Sequence, residues 1–205
     1  MKIINVNTWE RKQVFEHFSS FNDPYFGLTI PFNVTKAYSF AKANNISFFV
    51  KYYHDCLKAV NVIDNLKYRI VNGQVVKFDV IHGSTTIMRE NKTYGFSFIK
   101  FDENLKGFIK NFEAEKQRIN TSDSLYPPVN SLDCIHSSAI PWVSFTGERQ
   151  PVSGKPDSVP KFAFSKAEKI NGELIMNVSI HANHALVDGY HVGDFSEKFQ
   201  QYLNQ

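Results

Sequence analysis

The chain of 205 residues is short of cysteine, of long apolar runs and of any concentrated charge. Two cysteines, Cys56 and Cys134, are too few for a disulfide scaffold and lack the spacing of metal ligands. No apolar run approaches the roughly 18 residues that a membrane-spanning helix needs, which excludes a span. Lys and Arg alternate with Asp and Glu at a net charge of +3, without the basic stripe that nucleic-acid binding requires. Residues 1–11 show no secretory signal, so the cytoplasm is the expected location.

The chain does have an ordinary apolar content and many aromatic residues. Hydrophobic residues make up 42% of it and aromatic residues 15%, including 19 Phe. This composition excludes general disorder and suits one globular domain over residues 1–205. The aromatic surplus predicts large apolar contacts with a ligand or with a sister subunit.

Apolar periodicity predicts strands mixed with a few helices. Helices are expected at residues 10–18, with Thr8 as the cap, at 48–63 and 103–118, and after Gly189. In the second helix, charged and polar residues are expected on the side away from the apolar one: Lys51, His54, Asp55 and Lys58. Strands are expected at residues 28–30 and 32–34 around Pro31, and at 78–81, 85–88, 94–99 and 174–181. Asn72-Gly73 predicts a hairpin turn. Because the βαβ alternation of a doubly wound fold is missing, the pattern favours an α/β sandwich.

The segment from His181 to His191 holds three histidines and one acid, with His184 and Asp188 between its ends. Coordination of one metal ion by His181 and His184 is unfavourable. The two residues are three positions apart on a predicted strand, so their side chains point to opposite faces. Alternatively, His184 is a hydrogen-bonded structural residue with no role in catalysis. Strand parity instead places His184 on the buried face at a strand end, where an imidazole, with an ordinary pKa of about 6.5, can serve as a base. The pattern alone leaves these alternatives open.

Several motifs in this sequence resemble those of the chloramphenicol acetyltransferase family, whose fold recurs in dihydrolipoamide acyltransferases and peptide-synthetase condensation domains. His184-x-x-x-Asp188-Gly189 resembles the family signature. Supporting segments occur in the family's order, namely Trp9 to Phe15 with Arg11, residues 48–69, and Ile140-Pro141-Trp142-Val143-Ser144-Phe145. The resemblance implies the two-layer sandwich of CoA-dependent acyltransferases, a mixed sheet with helices packed on one face.

The family resemblance also implies a reaction. Acetyl-CoA, as co-substrate, donates its acetyl group directly to a hydroxyl of a small acceptor such as chloramphenicol, the reaction of an antibiotic-resistance enzyme. His184 is then the general base, a role that contributes roughly 10²–10⁴-fold. Asp188 pairs with Arg11 to fix the loop that presents His184, rather than acting as a relay. The family forms homotrimers with each site between two subunits.

The resemblance assigns further site residues. Gly147 occupies the position given to the family's oxyanion-stabilising Ser, and Thr146 is its neighbour. Ser165 matches a water-ordering Thr, and Asn183 replaces the first His of a His-His pair. Three aromatic residues are expected either to line the acceptor pocket or to be ordinary core residues: Phe18, Phe26 and Phe96.

Two alternatives to the chloramphenicol reaction follow from Gly147 and Phe18. The first is the same chemistry on another acceptor. The second is a trimer of weak activity that binds a ligand or acts as a scaffold.

Overall fold

The computed structural model describes residues 1–151 and 154–205. Its helices are α1 (Lys12–Ser19), α2 (Thr35–Ala43), α3 (Phe48–Val62), α4 (Leu105–Asn120) and α5 (Gly189–Leu203), with short 3-10 turns at Val6–Thr8 and Asp64–Lys67. Within these two ranges, no helix combines the length and the apolar character that crossing a membrane demands.

Nine strands form two sheets. The strands are β1 (Lys2–Ile3), β2 (Tyr25–Asn33), β3 (Tyr68–Val71), β4 (Gln74–Lys77), β5 (His82–Met88), β6 (Tyr94–Phe96), β7 (Cys134–Ile140), β8 (Lys161–Ile170) and β9 (Glu173–Asn183). The small sheet has the order β1-β4-β3, and the large sheet β2-β9-β8-β7-β5-β6. β7 runs parallel to β5 and β8, whereas the other pairs are antiparallel. The predicted α/β sandwich with a mixed sheet is confirmed.

Helices α3 and α5 cover one face of the large sheet. The ring of Phe162 on β8 lies 5.4 Å from that of Phe195 on α5, and Phe164 lies 5.0 Å from Tyr52 on α3. Because alternate residues of a strand share a face, Phe162 and Phe164 point the same way into this core. Each such buried side chain contributes roughly 1.5–3 kcal/mol to folding.

The loop after β7 covers the opposite face of the sheet. The Asn177 side chain on β9 donates to the carbonyl of Phe145 (2.9 Å), and the Lys166 amide donates to the carbonyl of Val143 (3.0 Å). Tyr25 on β2 donates its hydroxyl to the carbonyl of Val159 (2.9 Å). This loop therefore covers part of the outer face of β8 and β9.

The hairpin at Asn72-Gly73 is confirmed, and the prediction of two strand pieces around Pro31 was wrong. Asn72 and Gly73 both have positive φ, at 50° and 77°, as a tight hairpin turn requires. Pro31 lies inside the continuous strand β2, opposite Asn177. β2 is an edge strand, where the missing N–H of a proline removes no ladder hydrogen bond from the outer side.

Three other local predictions were wrong. Thr8 does not cap α1, since it ends the preceding 3-10 turn and Arg11 precedes the helix without a side-chain cap bond. Residues 78–81 form no strand in the part of the chain that the structure describes. The polar side of α3 is not solvated, because Lys51, His54 and Asp55 are all buried. Lys51 and Asp55 pair at 2.6 Å, which offsets part of the cost of burying two charges, although burial still raises the pKa of Asp55 to about 6.

Candidate active site

His184 lies in the tight turn that connects β9 to α5. β9 ends at Asn183, whose carbonyl accepts the amides of Leu186 and Val187, both at 3.0 Å. The Asn183 side chain accepts from the Ala185 amide (3.0 Å) and donates to the carbonyl of Asp157 (3.0 Å). Asn183, which replaces the first His of the family pair, therefore shapes the turn that presents His184.

The His184 ring lies between two phenylalanines. Phe18 of α1 stacks on it at 4.0 Å with an interplanar angle of 2°, and Phe26 of β2 lies at 4.6 Å. Because β9 ends one residue earlier, strand parity does not extend to His184. The ring is half-buried against α1 and β2 instead of in the main core, which corrects the parity argument.

The His184 imidazole is not locked by permanent partners. Its Nδ1 atom is buried and has no hydrogen-bond partner among residues 1–151 and 154–205. The two phenylalanine rings fix the plane of the imidazole by contact alone, so proton transfer at the ring breaks no hydrogen bond with a described residue. A general base must in addition have a ring nitrogen within hydrogen-bond reach of the proton that it accepts.

Arg11 and Asp188 form an ion pair beside this turn. Arg11 Nη1 donates to Asp188 Oδ2 at 2.6 Å, while Asp188 Oδ1 accepts the Tyr190 amide at the start of α5 (3.1 Å). Burial alone would raise the pKa of the Asp188 carboxyl, but the hydrogen bond from Arg11 and nearby positive charge hold it below its ordinary value. The pair joins the start of α1 to the start of α5, and both carboxylate oxygens are used away from His184.

The three histidines of the 181–191 segment have different surroundings. His191 Nδ1 accepts the Asp188 amide at 3.1 Å, and burial lowers the pKa of His191, which favours this neutral form. His181 lies 3.3 Å from Glu148 and covers Gly27, where an added Cβ would meet the imidazole at 2.5 Å. No cluster of three or more His, Cys, Asp or Glu suited to a metal occurs within the described ranges.

The structure does not bring Ser165 to His184 within one chain. The Ser165 hydroxyl donates to the Lys166 carbonyl (3.0 Å) and accepts the Asn177 amide (3.0 Å), at a bulge in β8. Asn183, the residue before His184, is six positions along β9 from Asn177, a distance of roughly 20 Å. The Ser165 hydroxyl thus satisfies backbone groups at the bulge in β8, far from the His184 imidazole of the same chain.

Thr146 and Gly147 lie in the loop that crosses the outer face of β9. Their neighbours Phe145 and Glu148 contact Asn177 and His181, respectively. An added Cβ at Gly147 would meet no described atom within 4 Å, so the position is open. These contacts place the pair over the strand, whereas His184 lies beyond the strand's end.

Phe96 is also separated from His184. It ends β6, at one edge of the large sheet, whereas Phe26 lies on β2 at the other edge. Five strand spacings lie between the two edges, or roughly 24 Å. Of the three predicted acceptor contacts, Phe18 and Phe26 surround His184 and Phe96 does not.

Phe96 lines a cavity of about 730 Å³ on the face opposite α3. Trp142 and Tyr126 share its wall and are 66% and 60% exposed, which leaves an apolar mouth open. Ser138 of β7 also lines this cavity and was missed by sequence reasoning. Its neighbour Ser137 faces the core and bonds to Tyr53 Oη at 2.9 Å, so alternation along β7 was the signal that could have identified Ser138.

A second cavity of about 460 Å³ lies on the other side of the segment after β7. Phe48, Tyr52 and Lys166 line it together with Pro141, whereas Ile140 and Trp142 line the larger cavity. The Ile140-Pro141-Trp142 segment therefore forms a wall common to both cavities.

Comparison with known proteins decides the family. A family model for chloramphenicol acetyltransferase matches residues 1–200. The chain belongs to the chloramphenicol acetyltransferase family. A chloramphenicol acetyltransferase from Bacillus pumilus is 28% identical over 190 residues, covering 91% of this chain and 86% of that protein. Membership in the family makes the chain an acyltransferase enzyme.

Solved structures give the same result for the fold. A chloramphenicol acetyltransferase structure superposes with a TM-score of 0.88 at 26% identity, covering 98% of this chain and 99% of that one. The cubic core of a pyruvate dehydrogenase multienzyme complex shares the fold alone, with a TM-score of 0.69 at 14% identity and coverage of 94% and 86%. The predicted CoA-dependent acyltransferase fold is confirmed, and the similarity to acetyltransferases implies use of an acyl-CoA in general terms.

Proposed function

We propose that this member of the chloramphenicol acetyltransferase family transfers an acetyl group from acetyl-CoA to a hydroxyl of a small acceptor such as chloramphenicol, with His184 as general base. The observation that carries the proposal is the half-buried imidazole between Phe18 and Phe26, whose Nδ1 has no partner among the described residues. We further propose that residues 1–205 act as one domain in the cytoplasm.

The proposed reaction is a direct transfer. His184 accepts the proton of the acceptor hydroxyl while the oxygen attacks the thioester carbonyl, and the tetrahedral intermediate collapses with loss of the CoA thiolate. The imidazolium then returns the proton to that sulfur, so the base is regenerated. Holding both substrates side by side supplies much of the remaining acceleration.

Arg11 and Asp188 have a positioning role in this proposal. Their ion pair ties α1, which carries Phe18, to the turn that carries His184. Since neither carboxylate oxygen of Asp188 reaches the imidazole, the pair acts through the loop and not through a proton relay. The rings of Phe18 and Phe26 keep water from one side of the base and hold its plane.

We assign stabilisation of the oxyanion to Ser138 rather than to Thr146, the neighbour of Gly147, or to Ser165, which matches the family's water-ordering Thr. Ser138 shares a cavity with Phe96, the third predicted acceptor contact. The Ser165 hydroxyl is engaged with backbone groups, and Gly147 carries no side-chain donor. A donor aimed at the developing negative charge is typically worth roughly 10²–10³-fold.

The two cavities offer one place for each substrate. We propose that the acceptor occupies the apolar cavity at Phe96 and that acetyl-CoA enters through the smaller cavity. The exposed Lys166 suits the phosphate groups of CoA, and the rings of Phe48 and Tyr52 suit its organic parts. The shared wall at residues 140–142 brings the two substrates together.

A site between two subunits of a homotrimer joins the separated halves. One chain supplies His184 at the β2 edge, and the next supplies the cavity at the β6 edge. Apolar residues are exposed near both halves, with Phe21 at 45% and Leu28 at 42% near His184 and Trp142 at the cavity mouth. A head-to-tail contact of this kind closes into a ring when the rotation is threefold.

Acetyl transfer is tested by following free CoA thiol with purified protein, acetyl-CoA and chloramphenicol. We expect thiol release that requires the acceptor, with acetylated chloramphenicol as the product. Thiol release only with other hydroxyl, amine or thiol acceptors would show that the assigned acceptor is wrong. Silence with every acceptor in the panel would overturn the enzymatic proposal in favour of a ligand-binding or scaffold trimer.

The division of the site between subunits is tested by mixing two inactive chains. Co-expression of His184→Ala and Ser138→Ala chains, with different tags, produces trimers in which one site has both intact halves. If equal amounts assemble at random, about three quarters of the trimers are mixed, and activity should return to about a quarter of the wild-type value. A site contained in one chain would give no gain over the two variants measured separately.

A further inference from the structure

The segment from Phe96 to Phe98 lies at the outer edge of the large sheet and lines the larger cavity. Phe96 and Phe98 both border the cavity, while Ser97 between them is buried and bonds to Thr85. An edge segment has backbone groups on its outer side that no strand can pair. What satisfies those groups also determines where the two rings lie.

An ion pair on α4 satisfies two of those backbone groups. Glu115 Oε2 accepts the amide of Phe98 at 2.8 Å, and Arg118 Nη2 donates to the carbonyl of Phe96 at 2.7 Å. Arg118 also donates to both oxygens of Glu115, at 2.9 and 3.0 Å. Side-chain exposures of 16% and 22% keep the pair shielded, so its geometry is held more firmly than that of a surface pair.

We propose that Glu115 and Arg118 are positioning residues for the acceptor, which hold the Phe96 and Phe98 rings in place by binding the outer edge of their backbone. The inference rests on the proposed function, because it assumes that the acceptor binds in this cavity. It assigns acceptor affinity to two residues on the far side of the strand from the acceptor. The pair takes the place that a seventh strand would have.

The same helix provides a matched control. Glu113 and Lys116 also form a pair three residues apart, at 3.8 Å, with exposures of 54% and 49%. Replacing Glu113 removes an ion pair of the same spacing from the same helix without a described contact to the cavity backbone. Any effect of Glu115→Ala beyond that of Glu113→Ala therefore belongs to the contact with Phe98 and to the two hydrogen bonds that hold Arg118 beside Phe96.

We expect Glu115→Ala to raise the acceptor KM by roughly tenfold, the factor for loss of one charge-assisted hydrogen bond. The KM for acetyl-CoA and kcat should stay within about twofold, and Glu113→Ala should match the wild type. Glu115→Gln keeps an oxygen that accepts a hydrogen bond from the Phe98 amide, so its affinity for the acceptor should lie between those of the wild type and Glu115→Ala. The same variant tests the proposal if Glu115→Ala does not fold. Equal rises in both KM values, or an unchanged acceptor KM, would overturn the proposal.

Hydrogen exchange gives a measurement that does not depend on activity. The Phe98 amide should exchange faster in Glu115→Ala than in Glu113→Ala at equal thermal stability, because only the first variant removes its acceptor. An inactive wild type would count against the proposed function. An active wild type, with unchanged exchange of the Phe98 amide in Glu115→Ala, would count against the positioning role of Glu115 and Arg118. The two failures are thereby distinguished.

Discussion

Replacement of His184 by alanine should lower kcat with chloramphenicol by at least roughly 10²-fold and up to about 10⁴-fold, the usual contribution of a positioned general base. An alcohol is a poor nucleophile at neutral pH, and the structure offers no second imidazole in the same surroundings among its described residues. His181 Nδ1 lies 3.3 Å from Glu148, and His191 Nδ1 accepts the amide of Asp188 at the start of α5. His136 borders the larger cavity and not the two phenylalanines that flank His184. The loss should appear in kcat, since the base acts in the transition state and not in substrate binding.

Two control variants are needed beside His184→Ala: one that keeps a polar side chain of similar size at position 184, and one that removes a different histidine. His184→Gln keeps a polar side chain between Phe18 and Phe26 without a base of comparable strength, so it should be as inactive as the alanine variant. His17→Ala removes an exposed imidazole of α1 whose ring contacts Phe18 at 4.8 Å, and it should leave kcat within about twofold because the imidazole of His184 remains. Activity of His184→Ala within tenfold of the wild type, with the fold intact, would contradict the assignment of the base.

Sequence reasoning located the local parts of the site because short segments carry them. The spacing from His184 to Asp188 and Gly189 fixes a strand end, a tight turn and a helix start, and each of these is formed by contacts between near neighbours. The expectation that Asp188 pairs with Arg11 came from the family resemblance, and the structure shows that contact at 2.6 Å across 177 positions of the sequence. No periodicity argument could have supplied so distant a pair.

Phe96 and Ser165 lie far from the His184 of their own chain for a different physical reason. Whether Phe96 lies near His184 depends on the order of strands in the sheet, and strand order is set by long-range packing that the pattern of one strand does not encode. Ser165 matches the position of the family's water-ordering Thr. In the structure, however, its hydroxyl lies at a bulge in β8 and is bonded to the backbone. The charged side of α3 was expected to face solvent but is buried. Burial on both sides of a helix depends on the elements that pack against it, which the pattern of the helix itself does not show.

In the proposed trimer, the site is distributed over two sheet edges, so that each chain contributes one half to each of two sites. The β2 edge provides an imidazole with aromatic walls, and the β6 edge provides a cavity lined by hydroxyl and aromatic groups together with His136. Closing these halves against each other buries the exposed aromatic residues and excludes water from the reacting atoms, which strengthens every polar interaction there. In the proposed trimer, assembly and catalysis therefore depend on the same surfaces.

Ser138→Ala should lower kcat by roughly 10²–10³-fold, the typical effect of removing one oxyanion donor, with little change in the acceptor KM. The neighbouring Ser137→Ala is the matched control, because that hydroxyl faces the core and bonds to Tyr53. Its loss should lower the thermal midpoint and leave kcat nearly unchanged. Both serines border the larger cavity, but the Ser137 hydroxyl is bonded to Tyr53 and to the carbonyl of Ser84, so the comparison separates a hydroxyl engaged with the core from that of Ser138.

Gly147→Ser separates this assignment from the one made by sequence register. If Ser138 already supplies the donor, a hydroxyl added at Gly147 should leave kcat within about twofold, and it should not rescue Ser138→Ala. A rise in turnover for Gly147→Ser, together with near-normal activity of Ser138→Ala, would instead place the missing donor in the loop over β9. The geometry favours Ser138, because its side chain borders the cavity that Phe96 and Trp142 also line, and the open surroundings of Gly147 give an added hydroxyl nothing to hold it.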